Sequence, residues 1–196
     1  MRQLLIKKLY RILDDHSNYQ EYQYLRDPIP EHFICGIYFF FDTVNPINQK
    51  QYKITYIGIT KDNNNNRLKK HQSNNNSASI FRKHIDGALN YNQDLIGKKH
   101  INEYIHNLPY LFINIDNIYK LKLIEKKTIE LISNYNKTEE IDIPSKNWLG
   151  FNHKRDIIKK AHIWNIHYSA GKYSEEYNYD KVLEYFKEYS IRMKNT

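Results

Sequence analysis

The sequence predicts an α/β fold: a small, mainly antiparallel three-stranded sheet flanked by helices, with helical N- and C-terminal extensions. Three observations predict it. Two runs rich in β-branched and aromatic residues, Phe33–Phe41 and Tyr52–Ile59, flank a turn-forming stretch, Asp42–Lys50, that holds Asn45, Pro46 and Asn48, and together they read as a hairpin. A third such run, Tyr110–Ile115, follows Pro109 and reads as a strand. Around these runs lie stretches whose apolar residues recur at helical spacing.

Size and composition narrow the class. A chain of 196 residues with 40% hydrophobic content can bury a sizeable core. The single cysteine, Cys35, excludes an internal disulfide framework and fits a reducing cytoplasm. The apolar run near Met1 is too short for a signal-peptide core, and no stretch approaches the ~18 apolar residues of a membrane span, so the expectation is a cytoplasmic protein with no membrane partner. A net charge of +8, from 30 Lys and Arg against 22 Asp and Glu, favours a polyanionic partner, of which nucleic acid is the commonest. No glycine-rich phosphate loop, Cys-x-x-Cys pair or nucleophilic-serine elbow occurs. The nine histidines are scattered without the spacing of a structural zinc site; His162 and His167 are the pair to check in the structure.

The chain opens with an amphipathic helix over Arg2–Asp14, with Leu4, Leu5, Leu9, Ile12 and Leu13 as its apolar positions. A second short helix is expected over Tyr19–Arg26, before Asp27-Pro28-Ile29-Pro30 forces an extended exit. In the hairpin, the register that sets Gly36 opposite Gly58 also sets Tyr38 opposite Tyr56 and places all four on one face. Two phenols beside a patch without side chains suit a floor for a bulky ligand, although periodicity by itself favours a pair of cross-strand packing aromatics. Asp62–Asn66 can cap a following helix, on which Arg67 and His71 project from the same side. There a guanidinium can grip a phosphate, or else belong with Lys69 and Lys70 to a solvated basic face. Arg82, Lys83 and His84, on a helix opening at Ser77, form with Lys70 a candidate patch for gripping a nucleic-acid backbone. Gly97–His100 opens a further short helical piece.

The segment Ile118–Ser133 carries the sharpest argument. At about 100° per residue, Ile118, Leu121, Ile124, Thr128, Ile129 and Ile132 fall on one side, and Glu125 lies near the middle of that side, whereas Glu130 points to the opposite, solvated side. A carboxylate on a buried face is costly unless it is paired or binds a cation, so Glu125 calls for Arg67 or a divalent metal ion. Beyond Lys137 an acidic linker, Thr138–Asp142, leads to a turn anchored by Trp148. The basic tail that follows, with His153-Lys154-Arg155 and Lys159-Lys160, packs on the core or lies along DNA. A final amphipathic helix is expected over Tyr179–Met193, with Val182, Leu183, Phe186 and Ile191 inward.

Gly36-Ile37-Tyr38 and Tyr56-Ile57-Gly58, followed by Arg67 and later by Glu125 on helices, resemble the signatures of the GIY-YIG nuclease superfamily over roughly Phe33–Asn136. The resemblance implies a nuclease core over 32–136, with a helical extension at 1–31 and a basic helical one at 137–196. It implies a metal-dependent DNA endonuclease in which Tyr38 or Tyr56 positions the attacking water or takes its proton. Arg67, helped by His71, would stabilise the phosphate, and Glu125 would hold one Mg²⁺ or Mn²⁺ ion. Asn136, with Asn134 close behind, stands where the family carries an asparagine after that glutamate. DNA is the implied partner, and a homodimer is one route to double-strand cleavage. A non-catalytic nucleic-acid-binding module that keeps the fold is the alternative reading.

Overall fold

The computed structural model describes residues 1–18, 20–33, 35–43, 52–61, 66–75, 77–89, 98–171, 173 and 178–192. In chain order its elements are α1 (Arg2–Ser17), β1 (Gln23–Tyr24), β2 (Gly36–Thr43), β3 (Tyr52–Thr60), α2 (Asn66–Gln72), α3 (Ile80–Leu89), α4 (Lys98–Asn107), β4 (Pro109–Asn114) and α5 (Ile118–Ile132). A 3-10 turn at Leu149–Asn152, α6 (Asp156–Ala161) and α7 (Tyr179–Arg192) complete it. The expected hairpin turn, the Asp62–Asn65 part of the α2 cap and the Gly97 opening of α4 lie outside the described residues.

The sheet is antiparallel throughout, in the order β1-β4-β2-β3, and so has four strands where the sequence predicts three. The fourth is the two-residue β1, which falls in the stretch where the sequence predicts a short helix and which pairs with Pro109 and Tyr110. Two paired residues against β4 carry too little periodicity to register in a sequence pattern.

Each face of the sheet carries its own core. Ile37, Phe39, Phe41, Ile57, Ile59, Leu111 and Ile113 point to an aliphatic layer closed by α1, α5 and α7. Tyr38, Phe40, Tyr56, Tyr110 and Phe112 point to an aromatic layer closed by α2, α3, α4 and by Trp148 and Trp164 of the C-terminal segment. The two extensions are thus built into the cores that the sheet organises. Ile118 and Ile191, both expected to face inward, are exposed at the rims of their helices.

The register of β2 and β3 differs from the one expected. Tyr38 faces Gly58 and Phe40 faces Tyr56, while Gly36 faces Thr60. A bulge then sets Phe41 opposite Ile54, leaving Thr55 as the extra residue of β3. A bulge reverses the in-out alternation of its strand, which is why Ile54 enters the aliphatic layer and Tyr56 the aromatic one although they are two residues apart. Tyr38 and Tyr56 still share a face, but diagonally. The patch without side chains is no ligand floor: a Cβ on Gly58 would collide with the Tyr38 ring, which lies across it.

Candidate active site

Since β3 is an edge strand, both layers reach the same rim of the sheet beside it. There the C-terminal segment closes off the backbone. The Trp164 backbone N–H donates to Thr55 O at 2.7 Å, and the Asn165 amide accepts from Ile57 N at 2.9 Å and donates to Ile57 O at 2.8 Å. A groove of about 670 Å³ opens along this rim, lined by Tyr56 and Arg67 from the aromatic side, Glu125 from the aliphatic side, and Lys83, Lys154 and Arg155 among others.

Each of these side chains is placed by identifiable bonds. The Asn117 side chain accepts from Lys120 N at 3.0 Å and caps the start of α5. The other end of α5 is held by the buried Arg2 guanidinium, which donates to Leu131 O at 2.8 Å and to Ser133 O at 2.7 Å. Helix α2 ends on donors from neighbouring elements: Arg82 Nη1 to His71 O at 2.8 Å, and His106 Nε2 with Gln72 O at 3.1 Å. The ring of Tyr56 stacks on Phe81 with centroids 4.3 Å apart.

Behind Tyr56 runs a chain of hydrogen bonds. Ser79 Oγ accepts from Arg82 N at 3.1 Å, so its own proton is free to go to His71 Nδ1, 2.9 Å away. His71 Nε2 then carries the ring proton and donates to the Tyr38 hydroxyl at 2.8 Å; this tautomer follows from the partners on either side. Tyr38 in turn bonds to the Tyr56 hydroxyl, which also accepts from Arg67 Nη2 at 3.3 Å. Burial pushes the Tyr38 phenol well above its ordinary range. Tyr56 is raised by burial too, with Arg67 opposing the rise. Burial, aided by Arg67 and Arg82, holds the His71 imidazole well below its ordinary range and therefore neutral.

The buried Tyr38 and His71 do not line the groove; Tyr56, itself only 4% exposed, and the exposed Arg67 do. Glu125 is half-buried, and desolvation raises its carboxyl against the pull of Arg67 and Lys61. It forms no ion pair within 4.0 Å among the described residues, although Arg67 stands close enough to influence it.

Several sequence-based expectations are corrected here. Arg82 is fully buried and bonds to His71 O and Asn102 Oδ1, so it serves the fold and offers nothing to a backbone outside. His84 is buried as well, its ring 5.2 Å from that of His153; Lys83 and Lys70 remain exposed. Glu130 is 4% exposed and not solvated, because Lys127 pairs with it at 2.8 Å and Gly171 lies against it. Asn136 is exposed, adopts a left-handed backbone with φ 55°, and does not line the groove. Asn134 is buried and bonded to Arg2, Ile141 and His162. The asparagine that reaches the groove is Asn165, beyond the stretch the motif pattern covers. The His162 ring is hydrogen-bonded to Asn134 and His167 is exposed on the groove, and no cluster of three metal-ligating side chains occurs among the described residues.

A family model described as "GIY-YIG domain" matches residues 92–194, just over half of the chain. The chain belongs to the GIY-YIG family. The matched stretch contains Glu125, Trp164 and Asn165 but not the two tyrosine motifs, so motif and family match are separate signals that the fold brings together on one groove. No curated protein and no solved structure matches the chain. As a GIY-YIG domain it is placed among nucleases, and no described helix is long and apolar enough to cross a membrane.

Proposed function

We propose that this GIY-YIG domain is a divalent-metal-dependent DNA endonuclease whose reaction centre is the Tyr56–Arg67–Glu125 rim of the groove. The observation that carries the reading is the half-buried Glu125, without an ion-pair partner among the described residues, reaching from one layer of the sheet into the cavity that Tyr56 and Arg67 enter from the other. A partly desolvated carboxylate in that state suits a hard cation. With one protein carboxylate, such an ion would take its other ligands from water and phosphate oxygens, a habit of Mg²⁺ and equally open to Mn²⁺. When bound at Glu125 it would offset charge developing on the phosphate and the leaving oxygen.

The chain's own residues supply the rest. Arg67, exposed and already donating to Tyr56, has further N–H groups for a non-bridging phosphate oxygen. The Tyr56 oxygen receives hydrogen bonds from Tyr38 and Arg67, which favour its ionised form and leave it able to orient an attacking water and take its proton. Tyr38, held by neutral His71, is the donor that fixes that oxygen from behind.

The test is nicking of supercoiled plasmid with and without Mg²⁺ by wild type, Glu125→Ala and Arg67→Ala. Metal-dependent nicking by wild type alone supports the reading. If all three proteins behave alike with metal present, the chain is a binding module that keeps the fold.

A further inference from the structure

The groove does not end at Tyr56. A second recess of about 480 Å³ lies on its other side, lined by Thr60, Lys61, Lys70 and Ser79, and shares Tyr56, Arg67 and Ile80 with the first. Tyr56 and Arg67 therefore stand where two basic recesses meet. Lys61 and Lys70 border one of them, and Lys83, Lys154 and Arg155 border the other. The only carboxylates lining either recess among the described residues are Glu125 and Asp86.

The C-terminal contribution to this track is rigid where it needs to be. Trp148 is buried against Trp164 with ring centroids 5.2 Å apart, and Arg155 N–H donates to His153 Nδ1 at 2.9 Å, fixing the turn that carries Lys154 and Arg155. Their side chains are exposed and lie in no ion pair among the described residues, although Lys159 on the adjacent helix pairs with Asp156 at 2.9 Å. Lys83, on the neighbouring α3, lines the same groove and is likewise exposed and outside any such pair. Three unneutralised cations along one wall suit a chain of phosphates, because each can replace a condensed counterion.

We propose that Lys154 and Arg155, together with Lys83, form a second backbone-binding site for the nucleic-acid strand, so that the strand runs through the groove and is held on both sides of the bond cut beside Tyr56. This rests on the proposed reaction centre only for which bond is cut. Binding itself is independent of catalysis. A strand gripped on both flanks needs no free end, which suits internal cleavage.

The test is fluorescence anisotropy with a labelled DNA duplex, without divalent metal, across a salt series. Lys154→Gln/Arg155→Gln is expected to reduce the slope of log Kobs against log salt by about 1.8, at about 0.9 for each phosphate no longer neutralised. Each single substitution should take about half of that. In nicking with Mg²⁺ the double variant should raise KM several-fold and leave kcat near that of wild type. An equal change in Lys7→Gln/Lys122→Gln, which removes the same charge from exposed sites outside the groove, would overturn the proposal, as would an unchanged slope or no DNA retention by wild type. A wild type that binds with the expected slope yet cuts nothing defeats the catalytic reading and leaves this one standing.

Discussion

The two walls of the groove are made of opposite materials. On the wall built by β2, β3 and α2, neutral groups hand hydrogen bonds to one another from the half-buried Ser79 through buried His71 and Tyr38 to Tyr56, and a single exposed guanidinium joins them at the end. The wall built by residues 153–168 and α3 presents exposed ammonium and guanidinium groups with buried histidines beneath them. The first is suited to controlling one proton at one atom. The second is suited to holding charge wherever a flexible strand places it. Substitutions on the first wall should therefore act on the chemical step, and those on the second on affinity and its salt dependence.

The largest effect is expected where the two layers of the sheet converge. Glu125→Ala and Arg67→Ala should each lower the single-turnover nicking rate by about 10²–10³-fold, the range for removing one group that stabilises charge in a transition state. Glu125→Ala should bind metal-free DNA at least as tightly as wild type, since a negative charge leaves the groove. Loss of binding in step with loss of cutting would show that Glu125 supports the fold and not the reaction.

Next in size comes the contrast between the tyrosines. Tyr56→Phe removes the oxygen that faces the groove, and about a hundredfold loss is expected, in line with removal of a general base. Tyr38→Phe removes only a donor behind it and should cost about tenfold, the worth of one hydrogen bond to a charged group. Because burial lifts the Tyr56 phenol above its ordinary range, its ionised fraction stays small through neutral pH and grows about tenfold for each pH unit. The wild-type rate should climb between about pH 7 and 9 with a logarithmic slope near one, the value for a single ionisation. A flat profile in wild type, or the same climb in Tyr56→Phe, removes Tyr56 from the base role.

How much of this is legible in the sequence follows from the range of the forces involved. The alternation of β2 and the helical stripe of α5 are local, so the paired tyrosines on one face and the inward aspect of Glu125 can be read from neighbours a few residues away. The register cannot, because it depends on a bulge at Thr55 whose carbonyl is taken by the Trp164 N–H from far along the chain. Glu130 departs from its expected exposure for a similar reason: helical angle gives a direction but not what covers it, and Gly171 covers it. Arg82 and His84 share a basic tripeptide with Lys83, yet successive helix residues point about 100° apart, and only Lys83 faces out. The acceptor that buries Arg82, the His71 carbonyl, lies on another helix. The C-terminal wall is visible as charge but not as a groove, since its position depends on where Trp148 and Trp164 bury.

A smaller effect sharpens the proton-handling wall. Ser79 touches no ligand-facing atom of Tyr56, yet its proton sets the tautomer of His71 and so the direction of every bond up to the Tyr56 oxygen. Ser79→Ala should lower kcat about tenfold, as one hydrogen bond in a network would, with KM unchanged. Ser79→Thr, which restores a hydroxyl, should recover most of it. A loss of rate that Thr does not rescue, accompanied by a lowered melting temperature, would assign Ser79 to helix capping alone.

The smallest effect falls on the cationic wall and concerns stability. The His84 and His153 rings are buried and held at about 4, by burial first, then for His84 by His153 and Arg155, and for His153 by Arg155, Lys154 and Lys159. Their pKa is lowered on folding, so the unfolded chain binds protons first as pH falls. Their contribution to stability is then complete above the unfolded value of about 6.5 and is lost progressively toward 4. At about pH 6 the loss amounts to about 1 kcal/mol per ring, and it grows with further acidification. The urea midpoint should fall between about pH 7 and pH 5, and His84→Gln/His153→Gln should flatten that dependence while lowering the midpoint at neutral pH. An unaltered pH dependence in the double variant would place the acid sensitivity on the other wall, with His71, whose imidazole is also held neutral by burial.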